Sequence, residues 1–169
     1  MEGAELSLKS LIVLISYHHN NTRKIAEIFS RVLDAPVEST QQLSPEDLQE
    51  YDLVGFGSGI YSEQHHETLL DFAERLPQVV EKKAFIFSTC GAPEKFLEET
   101  RLGNPKFHLA LREKPRAKGY IIVDEFIYPG LNTNGFLRHF GGLNIGRPSA
   151  EDLKNAEAFA QNLTRVIEN

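Results

Sequence analysis

The sequence predicts an α/β fold, a doubly wound parallel sheet with helices on both faces. Short apolar runs alternate with stretches whose apolar residues recur at helical spacing, the pattern of repeated βαβ units. The runs lack polar alternation, which marks strands covered on both faces. The segments after three of the runs are rich in Ser, Thr, Gly, His or Asn. Right-handed crossovers place all three along the carboxyl edge of the sheet, where open α/β sheets bind ligands.

Each element follows from local pattern. Residues 11–15 (LIVLI) form the first buried strand. Residues 23–33 form a helix with Ile25, Ile28, Phe29, Val32 and Leu33 inward. Residues 35–38 read as a short edge strand, where Pro36 is tolerated. Ser44 and Pro45 supply the N-cap and first position of a short helix. Residues 52–61 are a second buried strand running into a Gly-rich loop, expected over 57–66. The next helix carries Leu69, Phe72, Ala73 and Leu76 on one face and ends before Pro77. Residues 83–91 are a third strand ending in a small polar loop over 88–96. A short helix is expected over 105–113 and a further strand over 119–128. Residues 129–147 lack periodicity and are rich in Gly and Asn; long segments of this kind are often functional. Phe136 and Phe140 could cover a bound ligand, meet a partner or pack beneath this loop, and packing is the default expectation. The last helix opens at Ser149, with Asp152 three residues on as in a capping box, and turns Leu153, Ala156, Phe159, Leu163 and Val166 inward.

Composition narrows the function. A chain of 169 residues fits one domain. Lys+Arg is 18 and Asp+Glu is 24, a net charge of −6. That argues against a nucleic-acid partner; it suits a soluble protein that meets basic surfaces, with solubility alone the favoured reading of the charge. Cys90 is the single cysteine, so an internal disulfide, an iron–sulfur cluster and a Cys-type zinc site are excluded, and a cytoplasmic setting is expected. No apolar stretch has the length of a membrane-spanning helix, so membrane insertion is not expected.

The loop SYHHNNT, residues 16–22, joins the first strand to the first helix. Such a loop offers free backbone N–H groups and the positive end of a helix dipole to an anion. The hydroxyls of Ser16 and Thr22 and the amides of Asn20 and Asn21 add neutral donors; a helix cap on an otherwise plain polar loop is the alternative. It is neither a P-loop nor a dinucleotide fingerprint, since the required glycines are absent. The pairs His18–His19 and His65–His66 raise the thought of a metal, but no carboxylate or cysteine recurs at ligand spacing. Histidine beside a phosphate is the more economical reading, and its charge would change near neutral pH.

In these loops the chain resembles the flavodoxins. Ser16, Asn21 and Thr22 match the Ser/Thr-rich loop that wraps the phosphate of FMN in that family, although the glycine of its usual ending is missing. GSGIYSEQ (57–64) is similar to the loop against the isoalloxazine ring, STCGAPEKF (88–96) to the loop at its pyrimidine edge, and residues 146–160 to the start of the last helix. The resemblance implies a flavodoxin-like sheet of five parallel strands in the order 2-1-3-4-5 within a single domain. It implies an FMN site built from Ser16, His18, Asn20, Asn21, Thr22, Ser58, Gly59, Ile60, Tyr61, Ser88, Thr89, Cys90 and Gly91. Tyr61 would stack on the ring, or else be an ordinary half-buried tyrosine. Gly59 or the Ile60 peptide would turn toward flavin N5, unless Gly57 and Gly59 merely make a turn. Cys90 has a place in the binding loop and no catalytic role. Residues 129–147 would be an insertion, with 142–146 resuming the edge strand. The function implied is electron transfer between redox partner proteins through the flavin semiquinone and hydroquinone, by a monomer or weak homodimer. An FMN-dependent NAD(P)H:quinone oxidoreductase and a flavin-free binding domain are the alternatives.

Overall fold

The uninterrupted apolar runs become the centre of a sheet. A computed structural model describes residues 8–93, 95–97 and 106–168. β1 (Ser10–Ile15) is buried at every position and leads into α1 (Asn21–Leu33), which buries Ile25, Ala26, Phe29 and Leu33. β2 (Val37–Glu38) is a short edge strand. A 3-10 turn, Pro45–Glu50, starts at Ser44, whose N–H donates to Asp47 Oδ2 at 2.7 Å. β3 (Leu53–Tyr61) hairpins into β4 (Gln64–His65), and α2 (Glu67–Glu74) follows. β5 (Lys83–Cys90) comes next; a 3-10 turn, Lys106–His108, opens directly into α3 (Leu109–Ala117). β6 (Ile121–Pro129), a 3-10 turn at Gly135–Phe140 and α4 (Ala150–Glu168) complete the chain.

The sheet order is β2-β1-β3-β5-β6, with every neighbouring pair parallel; β4 alone is antiparallel, against β3. Counting the parallel strands alone, this is the expected 2-1-3-4-5. β1 divides its side chains between two cores. Ile12 and Leu14 pack with α1 and α4, and Leu11 and Val13 with Leu69 and Phe72 of α2 and Leu111 of α3.

Gly55 and Gly57 of β3 do not make a turn. A Cβ built on Gly55 would lie 2.3 Å from Cζ of Phe85, and one on Gly57 2.2 Å from Cζ of Phe87. The two rings lie over the bare backbone of β3, and Phe29 of α1 meets them edge-on at 5.5 and 4.9 Å between centroids.

Several expectations need correction. Residues 57–61 and 88–90 are strand rather than loop: Ser58 pairs with both Ile15 and Ser88, and Gly59 with Thr89. Their Ser, Thr and Gly content looks loop-like only because the ends of these central strands face a cavity and a polar network. The reversal comes later, at Ser62 (φ 48°) and Glu63 (φ 65°), in the two-residue hairpin turn that right-handed strand twist favours. The helix expected over 105–113 runs on to Ala117. Val166 is exposed, because the buried stripe of α4 passes through Ala156, Ala160, Leu163 and Ile167 and misses it. Residues 142–146 do not resume the sheet edge. Leu143 instead forms an antiparallel bridge with Asn132, so the segment folds back on itself as a strap. Phe136 and Phe140, at the strap's tip, are 71% and 77% exposed rather than packed beneath it.

A buried polar network lies under α3. Nε2 of His108 stands 2.7 Å from the Ser88 hydroxyl, and its Nδ1 2.9 Å from Glu125 Oε2. The Arg112 guanidinium also donates to Glu125, and the His65 ring lies 4.7 Å from that of His108. An ionised Glu125 can only accept, so His108 carries its proton on Nδ1 and Ser88 O–H donates to Nε2. Burial alone would raise the Glu125 carboxyl, but hydrogen bonds and charge from His108 and Arg112 hold it below its ordinary value. Burial pushes His108 down, despite Glu125, and pushes His65 well down with His108 beside it.

These arrangements generate two predictions. Gly57→Ala forces a methyl group into the Phe87 ring and should cost about 1–3 kcal/mol in urea unfolding, with partial recovery when Phe87→Leu is added. Histidines depressed in the fold take up protons near pH 6.5 only once unfolded, so their contribution is intact above that pH and is lost as the pH falls below it. Unfolding free energy should fall by up to about 1.4 kcal/mol per pH unit for each such histidine between about pH 6.5 and 5, and His65→Gln should flatten that slope.

Candidate functional site

Strands β1, β3 and β5 end side by side at the carboxyl edge, and a cavity of about 390 Å³ opens there. This lies within the ~300–1,000 Å³ usual for small-molecule sites. Its first wall is the turn from β1 into α1. His19 and Asn20 both take the left-handed conformation (φ 55° and 52°), which Asn and His tolerate better than most residues. They set Asn21 and Thr22 as the first helical residues, facing the cavity with Ser16, Tyr17 and His18. Asn20 makes no side-chain cap, so the helix mouth keeps backbone donors and a positive dipole end for a ligand.

Thr22 Oγ1 meets Thr89 Oγ1 at 2.7 Å, tying α1 to β5 out of solvent. Asn21 Nδ2 donates to the Leu131 carbonyl at 3.0 Å, while its Oδ1 is buried without a partner. The second wall is Gly59, Ile60, Tyr61 and the turn residue Glu63; the third is Thr89, Cys90, Gly91 and Ala92, with Phe96 and Phe107. Rings gather at the mouth. His66 lies 5.2 Å from Tyr17 and 5.4 Å from Tyr61, and His18 lies 6.0 Å from Tyr61. Burial, with Tyr17 close by, pushes the Tyr61 phenol up. Burial also pushes the Cys90 thiol up against a backbone hydrogen bond from Ala92, so Cys90 is a protonated wall residue and a poor nucleophile.

The strap supplies a fourth wall, residues 131–134. Asparagines sew it down: Asn132 Nδ2 donates to the Gly91 carbonyl at 3.2 Å, and Asn144 Nδ2 to Ala92 and Gly130 carbonyls at 2.8 and 3.2 Å. His19 Nε2 meets Thr133 Oγ1 at 2.8 Å.

Ten of the thirteen expected residues line this cavity: Ser16, His18, Asn21, Thr22, Gly59, Ile60, Tyr61, Thr89, Cys90 and Gly91. Three do not. The Ser88 hydroxyl is engaged by His108. Ser58 O–H donates to the Gly59 carbonyl at 2.7 Å, and its oxygen accepts from the His66 N–H at 3.0 Å. Asn20 is exposed at the helix cap. Gly59 keeps an ordinary backbone conformation, without a positive φ. The histidine pairs split: His65 is buried in the network, and His66 Nδ1 caps α2 by accepting the Thr68 N–H. Among the described residues no three His, Cys, Asp or Glu side chains converge as a metal site would require.

The residues expected from sequence leave out Tyr17, His19, Glu63, Ala92, Phe96, Phe107 and the strap wall, although residues 129–147 stood out as a long aperiodic segment. The one available signal was the density of Asn in an aperiodic stretch, where side-chain amides replace sheet hydrogen bonds. The chain's negative charge does not collect here either: among the described residues Glu63 is the only carboxylate in the cavity lining.

Comparison with known proteins agrees with this geometry. The family model described as a flavodoxin domain matches residues 12–133. An uncharacterized protein of Methanocaldococcus jannaschii is 40% identical over 158 residues, covering 94% of this chain and 99% of that protein. Flavodoxin 2 of Bacillus cereus superposes with a TM-score of 0.65 at 19% identity, over 93% of this chain and 98% of that one. A flavodoxin from the domain Archaea gives 0.60 at 16% identity, over 96% and 100%. Fold, site placement and family match converge: the chain belongs to the flavodoxin family.

Proposed function

We propose that the cavity holds FMN and that the protein carries electrons between redox partners. The observation that carries this reading is a helix N-terminus and a ring-lined slot within one cavity at the carboxyl edge. The α1 mouth suits the phosphate. Thr22 and Thr89 share one hydrogen bond, so one of their two O–H groups remains free to donate, and Ser16 adds another. Asn21 Oδ1 is a buried acceptor lacking a donor, and a ribityl hydroxyl supplies one. Tyr17 and Tyr61 offer aromatic faces to a flat ring, and the backbone around Thr89–Gly91 suits its polar edge. Bound FMN supplies one- and two-electron redox chemistry. The chain's own part is to grip the phosphate, orient the ring and limit solvent access.

Purified protein titrated with FMN should quench the flavin fluorescence and shift its visible spectrum; no binding overturns the assignment. During stepwise anaerobic reduction a carrier should show two resolved one-electron stages. A single two-electron stage with rapid bleaching by NAD(P)H alone would instead identify a reductase. Ser16→Ala combined with Thr22→Ala should raise the Kd for FMN at least about tenfold, since hydrogen bonds to a charged group contribute about 1.5–3 kcal/mol each. Unchanged affinity would remove this loop from the site.

A further inference from the structure

Every exposed large aromatic side chain among the described residues lies at the cavity end of the molecule: Tyr17 and Phe96 in the lining, Phe136 and Phe140 on the strap's tip. Asn134, at the cavity wall, begins the tip, and the bridge between Asn132 and Leu143 closes its base. Aromatics presented in this way at a cavity mouth mark a contact surface.

The two segments that form the strap and the α1 mouth carry no acidic side chain, although Glu63 lines the cavity itself. From Phe126 to Ala150 there is no acidic residue, and from Leu8 to Ala26 there is none. These two segments carry Arg23, Lys24 and Arg138, which are exposed and pair with no carboxylate among the described residues. The same segments also carry Lys9 and Arg147, which are matched to Glu50 and Asp152. The Debye length is about 10 Å at 0.1 M salt, so a partner touching the strap feels Arg138 ahead of any charge farther off than that.

We propose that this end docks a redox protein whose own electron-transfer face is acidic around an apolar centre. Phe136 and Phe140 enter the apolar centre, and Arg138 on the strap and Arg23 and Lys24 on α1 meet the surrounding carboxylates. This rests on the flavin reading above, and it reverses the expectation, drawn from net charge, of a basic partner.

The test uses FMN-loaded, reduced protein and two oxidised haem proteins as probes: a b-type cytochrome with a carboxylate-ringed haem edge and a c-type cytochrome with a lysine-ringed one. At low salt the rate constant with the acidic cytochrome should fall about tenfold or more as ionic strength rises to roughly 0.5 M. Arg138→Glu should lower its low-salt rate several-fold and leave FMN affinity and spectrum unchanged. Phe136→Ser with Phe140→Ser should lower the rate at high salt, where charge no longer steers. A rate with the basic cytochrome that falls with salt and rises in Arg138→Glu overturns the proposal, as does indifference of the acidic probe to all three substitutions. If the protein takes no flavin, the earlier reading fails by itself. Docking is then read from the haem spectrum during titration of the acidic cytochrome: salt-sensitive binding lost in Arg138→Glu supports the surface, and no binding overturns it.

Discussion

The rings of Phe85 and Phe87 lying on the bare backbone of Gly55 and Gly57 are the constraint on which the rest of the structure depends. Because β3 offers no side chain there, β5 can lay two phenyl rings across it. Those rings form the surface on which Phe29 seats α1 edge-on, with Phe159 of α4 close by. The seat of Phe29 fixes the depth and tilt of α1, and hence where Asn21 and Thr22 stand relative to Thr89. A hydroxyl pair at 2.7 Å between two elements leaves little freedom, so the packing of one face of the sheet sets the geometry of the cavity at its end.

The fold was legible because long-range order here follows from local pattern: unbroken apolar strands need cover on both faces, and helical stripes supply it. The first wall was legible for the same reason, since a polar loop between a buried strand and a helix has only one place to be. The boundaries of the second and third loops were not. Ser58, Gly59, Ser88 and Thr89 have the composition of a turn, yet they sit in strands whose polar groups are satisfied by His108, His66 and one another across the register. His108 gave no sign of its role, because its partners Ser88 and Glu125 come from two separate strands. The strap was opaque for a further reason. It is held by asparagine side chains reaching carbonyls, a mode with no period for a pattern to reveal.

The protein keeps two kinds of polar chemistry apart. Beneath α3, histidine, serine, arginine and glutamate are locked together out of water and tie the end of β5 to the middle of β6. At the cavity the polar groups are left with capacity to spare: an amide oxygen without a donor, a helix mouth without a side-chain cap, and a hydroxyl pair with one proton uncommitted. A tightly hydrogen-bonded layer behind one with capacity to spare is the arrangement expected of a pre-organised site, in which a ligand completes hydrogen bonds without reshaping the wall.

The strap also bears on how the molecule comes into being. Its contacts with the first wall join residues far apart in the chain, Asn21 to Leu131 across 110 positions and His19 to Thr133 across 114. Closing so long a loop is among the slow steps of assembly, and synthesis delivers the N-terminal strands first. A growing chain that has reached β5 has three walls and an open side. The fourth wall therefore waits for the C-terminal third to emerge and fold back, which makes completion of the cavity a late event in the life of the nascent protein.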